Sequence, residues 1–116
     1  MFAQLTYFDG PRSPELITAA ERANRERIQP AILATPDLRD DLVALYQLRR
    51  QDGGEITVVI VEQETTLDKA RAVIMGTELL PGEDPALLPG PDRIERYQVV
   101  HTLVEPPAAH TGSAAR

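Results

Sequence analysis

The chain has 116 residues, a formal net charge of −6 and no cysteine. This length fits one domain, whose folding removes roughly two-thirds of the unfolded chain's surface from water. The lack of cysteine excludes disulfides, thiolate catalysis and iron–sulfur clusters, and the negative charge without a Lys/Arg cluster argues against nucleic-acid binding.

The N-terminal segment, Phe2 to Phe8, is rich in aromatic and β-compatible residues and precedes Asp9-Gly10-Pro11, a strong turn signal. It is predicted as the first strand. The start of the chain lacks the features of a secretory signal, and no segment reaches the about 20 apolar residues of a membrane helix. We therefore expect a cytoplasmic protein that does not enter a membrane.

A first helix is predicted to begin at Ser13-Pro14-Glu15, because serine is a good N-cap and proline suits the first helical turn. Its apolar stripe repeats at helical spacing. The stripe consists of Leu16, Ile17, Ala20, Ala23 and Ile28. Pro30 opposes helical geometry, which predicts a stop or kink there. Residues 31 to 41 are expected to form an irregular connector.

Two strand-like runs, Leu42 to Arg50 and Glu55 to Glu62, are joined by Gln51-Asp52-Gly53-Gly54. The glycines suit a tight turn, so a β-hairpin is predicted. Within the second run, Ile56 to Val61 is apolar on both faces, unlike a strand that is wetted on one side. Helices of the same chain can cover one face, and the other face is expected to pack on a second copy.

The C-terminal half continues with a second helix, which Thr65-Thr66-Leu67 opens and Gly76 ends. Residues 79 to 93 combine prolines, glycines and leucines, which predicts an ordered loop over apolar surface. Ile94 to Val104 is predicted as a long final strand. Residues 105–116 are predicted as a disordered C-terminal tail, which leaves residues 1–104 as the single domain.

Strand, helix, hairpin, helix and strand form the βαββαβ order of the ferredoxin-like α+β fold. This fold has an antiparallel four-stranded sheet with two helices on one face. The opposite sheet face stays open. We therefore predict a homodimer that forms through this sheet face.

The order of elements, the doubly apolar strand and the look of residues 2–8 and 96–100 resemble the dimeric α/β-barrel superfamily. That superfamily includes the antibiotic-biosynthesis-monooxygenase-like domains, and the resemblance spans residues 2–104. It implies two sheets packed face to face as a dimeric α/β barrel, with a pocket between sheet and helices in each subunit. It also implies a cofactor-independent oxygenase acting on a polycyclic phenol, or on haem in one branch.

Members of that family typically use an asparagine on the first strand together with a tryptophan. This chain has no tryptophan, and its single asparagine, Asn24, falls in the first predicted helix. The superfamily also holds polyketide cyclases and muconolactone isomerases, so cyclase-like or isomerase-like chemistry is a further alternative.

Three residues are candidates for catalysis. His101 is the only histidine of the predicted domain, since His110 falls in the tail, and imidazole exchanges protons near neutral pH. Strand alternation places His101 on one face with Tyr97. Tyr97 and Tyr7 each offer a phenol that donates a hydrogen bond to a carbonyl or enolate. The competing interpretation is that all three are structural.

Candidates for ligand binding are Tyr46, Asn24 and Arg96, with Arg12 and Arg49 as further guanidinium groups for an anion. Their structural alternatives are buried rings and exposed salt bridges. Two histidines, one of them in the tail, do not make a conventional metal site, and no phosphate-binding glycine motif is present. No cofactor is predicted.

Two functions therefore compete. The first is an antibiotic-biosynthesis-monooxygenase-like protein that binds a small apolar or aromatic molecule between sheet and helices. The second is a non-catalytic dimeric module for ligand binding or assembly, which needs only the apolar sheet face.

Overall fold

The structure, a computed structural model, describes residues 1–104. Its elements form an α+β fold with one antiparallel sheet. The strands are β1 (Phe2–Phe8), β2 (Leu42–Arg49), β3 (Glu55–Val61) and β4 (Arg93–Gln98), and the helices are α1 (Pro14–Ala23), α2 (Gln29–Leu33), α3 (Pro36–Asp41) and α4 (Glu64–Met75). The sheet order is β2-β3-β1-β4, which is compatible with the predicted ferredoxin-like fold. The predicted tail, 105–116, lies outside the described residues.

The register of the sheet assigns every strand residue to one of two faces, because residues opposite each other in neighbouring strands point to the same side. Arg49 contacts Glu21 of α1 at 3.0 Å, and Arg96 contacts Asp68 of α4 at 3.1 Å. The face that carries these arginines is the helix-side face. The other, the open face, consists of Ala3, Leu5, Tyr7, Ala44, Tyr46, Leu48, Ile56, Val58, Ile60, Arg93, Glu95 and Tyr97.

The start of α1 follows from its sequence. The side-chain oxygen of Ser13 accepts a hydrogen bond from the backbone N–H of Leu16 at 3.2 Å, and Pro14 occupies the first turn. After Ala23 the chain widens into a π-helical segment, Asn24–Ile28, before α2 begins. Pro30 has no N–H to donate to the preceding turn, which explains the predicted irregularity near it.

Two boundaries differ from the prediction. Residues 31 to 41 are largely helical, because the chain stays helical past Pro30 in α2, and Pro36 sits in the first turn of α3, where a missing N–H costs nothing. β4 ends at Gln98 instead of Val104. The ladder extends one step further, as the N–H of Val99 donates to the carbonyl of Met1 at 2.9 Å.

The hairpin between β2 and β3 and the helix α4 agree with the prediction. Gly53 has a φ of 91°, and a Cβ there would lie 2.7 Å from the carbonyl oxygen of Arg12, so the turn requires glycine. Asp41 accepts hydrogen bonds from the backbone N–H of Gln63 and the hydroxyl of Thr66 at the start of α4. Gly76 follows its last residue.

The loop after α4 contacts α1 and the π-helical segment that follows it. Glu83 accepts hydrogen bonds from the guanidinium of Arg27 at 2.9 Å and from the N–H of Leu80 at 2.7 Å. Arg22 donates to the carbonyl of Pro81 at 2.8 Å, and Leu87 lies beside α1. The loop is therefore held against α1 and the π-helical segment by these polar contacts, and its covering of apolar surface stays a prediction.

The interior of the single chain is small. Within residues 1–104, the fully buried apolar residues are Ala23, Leu38, Val61 and Leu67. None of the helices in the described part of the chain is both long and apolar enough to cross a membrane.

Candidate functional site

The open face is the more apolar of the two faces of the sheet. Three rows of side chains cross it from β2 to β4. We name each row by its β4 residue: the Arg93 row is Leu48, Ile56, Tyr7 and Arg93, the Glu95 row is Tyr46, Val58, Leu5 and Glu95, and the Tyr97 row is Ala44, Ile60, Ala3 and Tyr97. Every member is apolar or aromatic except the two charged residues.

Large side chains of this face are in contact with solvent. Tyr46 is 56% exposed, Tyr97 51% and Leu48 49%. Their exposure contrasts with the usual pattern of an antiparallel sheet, in which the solvated face is polar. An apolar surface of this kind is a candidate interaction site.

A charged cluster lies at the β4 edge of the open face. The guanidinium of Arg93 stacks on the ring of Tyr7, 3.8 Å from its centroid, and lies 3.8 Å from the carboxylate of Asp9. The neighbouring Glu95 carboxylate raises the pKa of the Tyr7 phenol above its usual 10.0, burial raises it further, and Arg93 acts in the opposite direction. Tyr7 therefore stays a neutral hydrogen-bond donor at physiological pH.

The helix-side face has more polar residues than the open face. Glu55 is buried there and accepts hydrogen bonds from Arg12 at 3.0 Å and Arg49 at 2.8 Å. Thr57 donates to the side-chain oxygen of Gln47 at 2.9 Å. These polar groups are paired with one another, which limits the cost of placing them between sheet and helices.

A cleft of about 210 Å³ opens between this face and the helical residues 21–29, which run from α1 through the π-helical segment to the start of α2. Its lining contains three amides, two carboxylates and two guanidinium groups. They are Asn24, Gln29, Gln47, Glu21, Glu55, Arg25 and Arg49. The π-helical turn contributes Asn24 and Arg25, which is consistent with the frequent presence of such turns at functional sites.

The structure brings three of the predicted site residues together and separates the rest. Tyr7, Tyr46 and Tyr97 all lie on the open face, in its three different rows. Asn24 lies in the cleft on the other side of the sheet. The predicted ligand-binding set of Tyr46, Asn24 and Arg96 therefore does not form one site.

Arg96 is held by the protein itself. Its guanidinium donates to Gln4 at 3.1 Å and to Asp68 at 3.1 Å, and it contacts Glu64 at 3.5 Å. Glu64 and Asp68 are one helical turn apart on α4, so both face the same strand. In this chain Arg96 links α4 to the sheet.

His101 lies beyond the end of β4 and is exposed. The predicted shared strand face with Tyr97 is wrong, because that prediction assumed a strand running to Val104. A catalytic role of His101 stays a prediction.

Sequence reasoning did not select Leu48, Arg93 or Glu95 as site residues. The signal for Leu48 was present, since Ala44, Tyr46 and Leu48 alternate with Leu45, Gln47 and Arg49. Arg93 and Glu95 had no comparable signal, because their face depends on the pairing of β4 with β1.

Within residues 1–104, no three His, Asp or Glu side chains are grouped in a way that could hold a metal ion. Comparison of the chain with protein-family models, with curated proteins and with solved structures found no match. The resemblance to the dimeric α/β-barrel superfamily stays a prediction.

Proposed function

We propose that this chain is a homodimeric module in which the open faces of two copies pack together, as in the dimeric α/β-barrel superfamily that it resembles. The observation that supports the proposal is the apolar open face with its exposed Tyr46, Leu48 and Tyr97. Association on this face buries the side chains that the single chain leaves in water.

Burial of the open face against a second copy would remove apolar side chains from water. Removing apolar surface from water stabilises by roughly 25 cal/mol per Å², and a typical interface buries about 800 Å² on each partner. Such burial opposes the roughly 4–15 kcal/mol that association costs in lost freedom of motion. A second copy is a natural partner, because a two-fold interface uses the same surface on both subunits.

The segment that follows β4 also exposes apolar side chains. Val100 is 88% exposed, Leu103 89% and Val104 78%. Three large apolar residues at such exposure are unusual for one short segment and are better explained by contact with a second copy.

The test is the molar mass of the full chain by sedimentation equilibrium at micromolar concentration. We expect twice the chain mass of 12.8 kDa. Tyr46→Glu places a charge on the open face and should give the monomer mass. Met75→Glu, at a 74% exposed apolar residue of α4, is the matched control and should stay dimeric. A monomeric wild-type chain would contradict the proposal.

A second candidate function is small-molecule binding in the cleft, as the antibiotic-biosynthesis-monooxygenase-like resemblance implies. Its support is the convergence of amides and guanidinium groups around about 210 Å³. Ligand pockets usually measure about 300–1,000 Å³. The cleft therefore suits a molecule of one or two rings with a polar group, and Asn24, Gln29 and Gln47 offer donors and acceptors for that group.

This candidate is tested by titrating the ¹⁵N-labelled protein with 2-naphthol and following the backbone and side-chain amide signals by NMR. We expect shifts at Asn24, Gln29 and Gln47, and weaker binding by Asn24→Ala. Shifts confined to residues of the open face would contradict a ligand site in the cleft.

A further inference from the structure

We propose that, in the dimer, Arg93 of each copy forms an ion pair with the partner's Glu95, and that these two pairs fix how the open faces are oriented. The inference rests on the proposed function and adds to it the alignment of the two copies. The open face carries one positive and one negative residue, both on β4.

The two charges lie in neighbouring rows at the same edge of the sheet. Arg93 ends the Arg93 row and Glu95 ends the Glu95 row, while the remaining members of both rows are apolar or aromatic. The contact of Arg93 with Asp9 inside the chain spans 3.8 Å, with both side chains more than half exposed. Such surface pairs contribute little, so Arg93 is available to a closer partner.

The alternative alignments put charge on apolar surface. If β4 of one copy lay over the partner's β2, Arg93 would face the partner's Leu48 and Glu95 would face the partner's Tyr46. Taking a charge out of water without an opposite charge nearby is costly. Alignments of this kind are therefore disfavoured.

One two-fold alignment avoids this cost. When β4 lies antiparallel over the partner's β4, the Arg93 row of each copy lies on the Glu95 row of the other. Arg93 then faces the partner's Glu95, and symmetry repeats the pair. In the same alignment Tyr7 faces the partner's Leu5, and Ile56 faces the partner's Val58. In this alignment, apolar side chains face apolar side chains of the partner, and each charged side chain faces one of opposite charge.

Charge reversal tests this alignment. Arg93→Glu gives a face with two negative charges, and Glu95→Arg gives a face with two positive charges. Each variant alone should dimerise at least tenfold more weakly than the wild type, because like charges would meet twice. Mixed in equal amounts, the two variants should form a heterodimer, because each pair is then one of opposite charges. Native mass spectrometry distinguishes this heterodimer from both homodimers.

Two further variants complete the experiment. The double variant Arg93→Glu, Glu95→Arg restores both pairs and should dimerise as the wild type does. Arg71→Glu reverses a charge on an exposed position of α4 and should not weaken the dimer. This control excludes a general effect of net charge.

The outcomes separate this inference from the proposed function. Preferential heterodimer formation supports the ion pairs. If both single variants dimerise as well as the wild type and mix statistically, the alignment is wrong while the dimer stands. If the wild-type chain is itself a monomer, the proposed function fails and this inference fails with it.

Discussion

The two faces of the sheet differ in how their side chains are satisfied. On the helix-side face, Glu55 is buried between two arginines, and Arg96 is held by a glutamine and two carboxylates. On the open face, leucine, isoleucine, valine and tyrosine side chains form an apolar surface, and Tyr46, Leu48 and Tyr97 are about half exposed. The difference shows that burial within one chain and hydrophobicity do not coincide here, as expected if the proposed dimer covers the open face.

The largest effect on stability is expected from a charge placed on the open face. For a dimer, the midpoint of urea denaturation rises with protein concentration, because mass action favours the associated state. Leu48→Glu should abolish this dependence and lower the midpoint, as a carboxylate replaces a half-exposed leucine of the Arg93 row. Gln51→Glu adds the same charge in the hairpin turn and should keep the dependence. A wild-type midpoint that is independent of protein concentration would contradict a dimer interface on the open face.

A smaller effect is expected from the ion pairs of the helix-side face. Arg12 and Glu55 are 3.0 Å apart, and each side chain is 8% exposed. Arg12→Met should lower the free energy of unfolding by about 2 kcal/mol, less than for a carboxylate that loses its only partner, because Arg49 still pairs with Glu55. Urea denaturation at one fixed protein concentration measures the change. Arg25→Met, which breaks an exposed pair with Glu26, should change it by less than about 0.5 kcal/mol.

The pH dependence of stability tests whether Glu83, in the loop after α4, stabilises the fold. The N–H of Leu80 and the guanidinium of Arg27 hold the pKa of Glu83 below its ordinary value of 4.5, against the opposing effect of burial. Since the folded pKa is the lower one, this stabilisation is present above the unfolded pKa and is lost as pH falls through the folded pKa. Glu83→Gln should therefore melt lower than the wild type at pH 6, and the gap should narrow toward pH 3. Glu78→Gln, at an exposed position, is the control, and a gap that widens on acidification would contradict this role.

The smallest effect concerns the phenol of Tyr7 on the open face. Glu95→Gln removes the negative charge beside it and should lower its pKa, whereas Arg93→Gln removes the positive charge and should raise its pKa further. NMR titration of ¹³Cζ-labelled tyrosine follows both changes. Shifts in the same direction for the two variants would show that the charges do not act on Tyr7 as the geometry indicates.

Sequence patterns predicted the elements that local signals determine. The N-cap Ser13, the glycines of the hairpin and the apolar run of β3 each carry a signal within a few residues, and each element appears as expected. The first turns at Pro30 and Pro36 carried the same kind of signal. Pro30 was interpreted as ending a helix, although proline also suits the first turn of one, as at Pro36.

The site was only partly accessible from the sequence, because it depends on pairing between distant strands. Tyr7, Tyr46 and Tyr97 were selected individually, and only the register of the sheet shows that they share one face. Arg96 was selected as a ligand-binding cation, but its partners Glu64 and Asp68 lie about 30 residues away in sequence. A charged residue has many candidate partners in a sequence and few in a fold.

The register of β2 shifts between Leu42 and Ala44, so that Leu42 pairs with Val61 and Ala44 with Ile60. Val43 is thus an additional residue on one strand, which makes a β-bulge. Because of it, Leu42 lies on the helix-side face while Tyr46 and Leu48 lie on the open face. Losing Val43 would make the strand regular and leave every other side chain on its present side. A deletion closer to the hairpin would move part of the strand to the wrong face. The length of this strand is therefore free to change by one residue at Val43, at no cost to the pattern on which the open face depends.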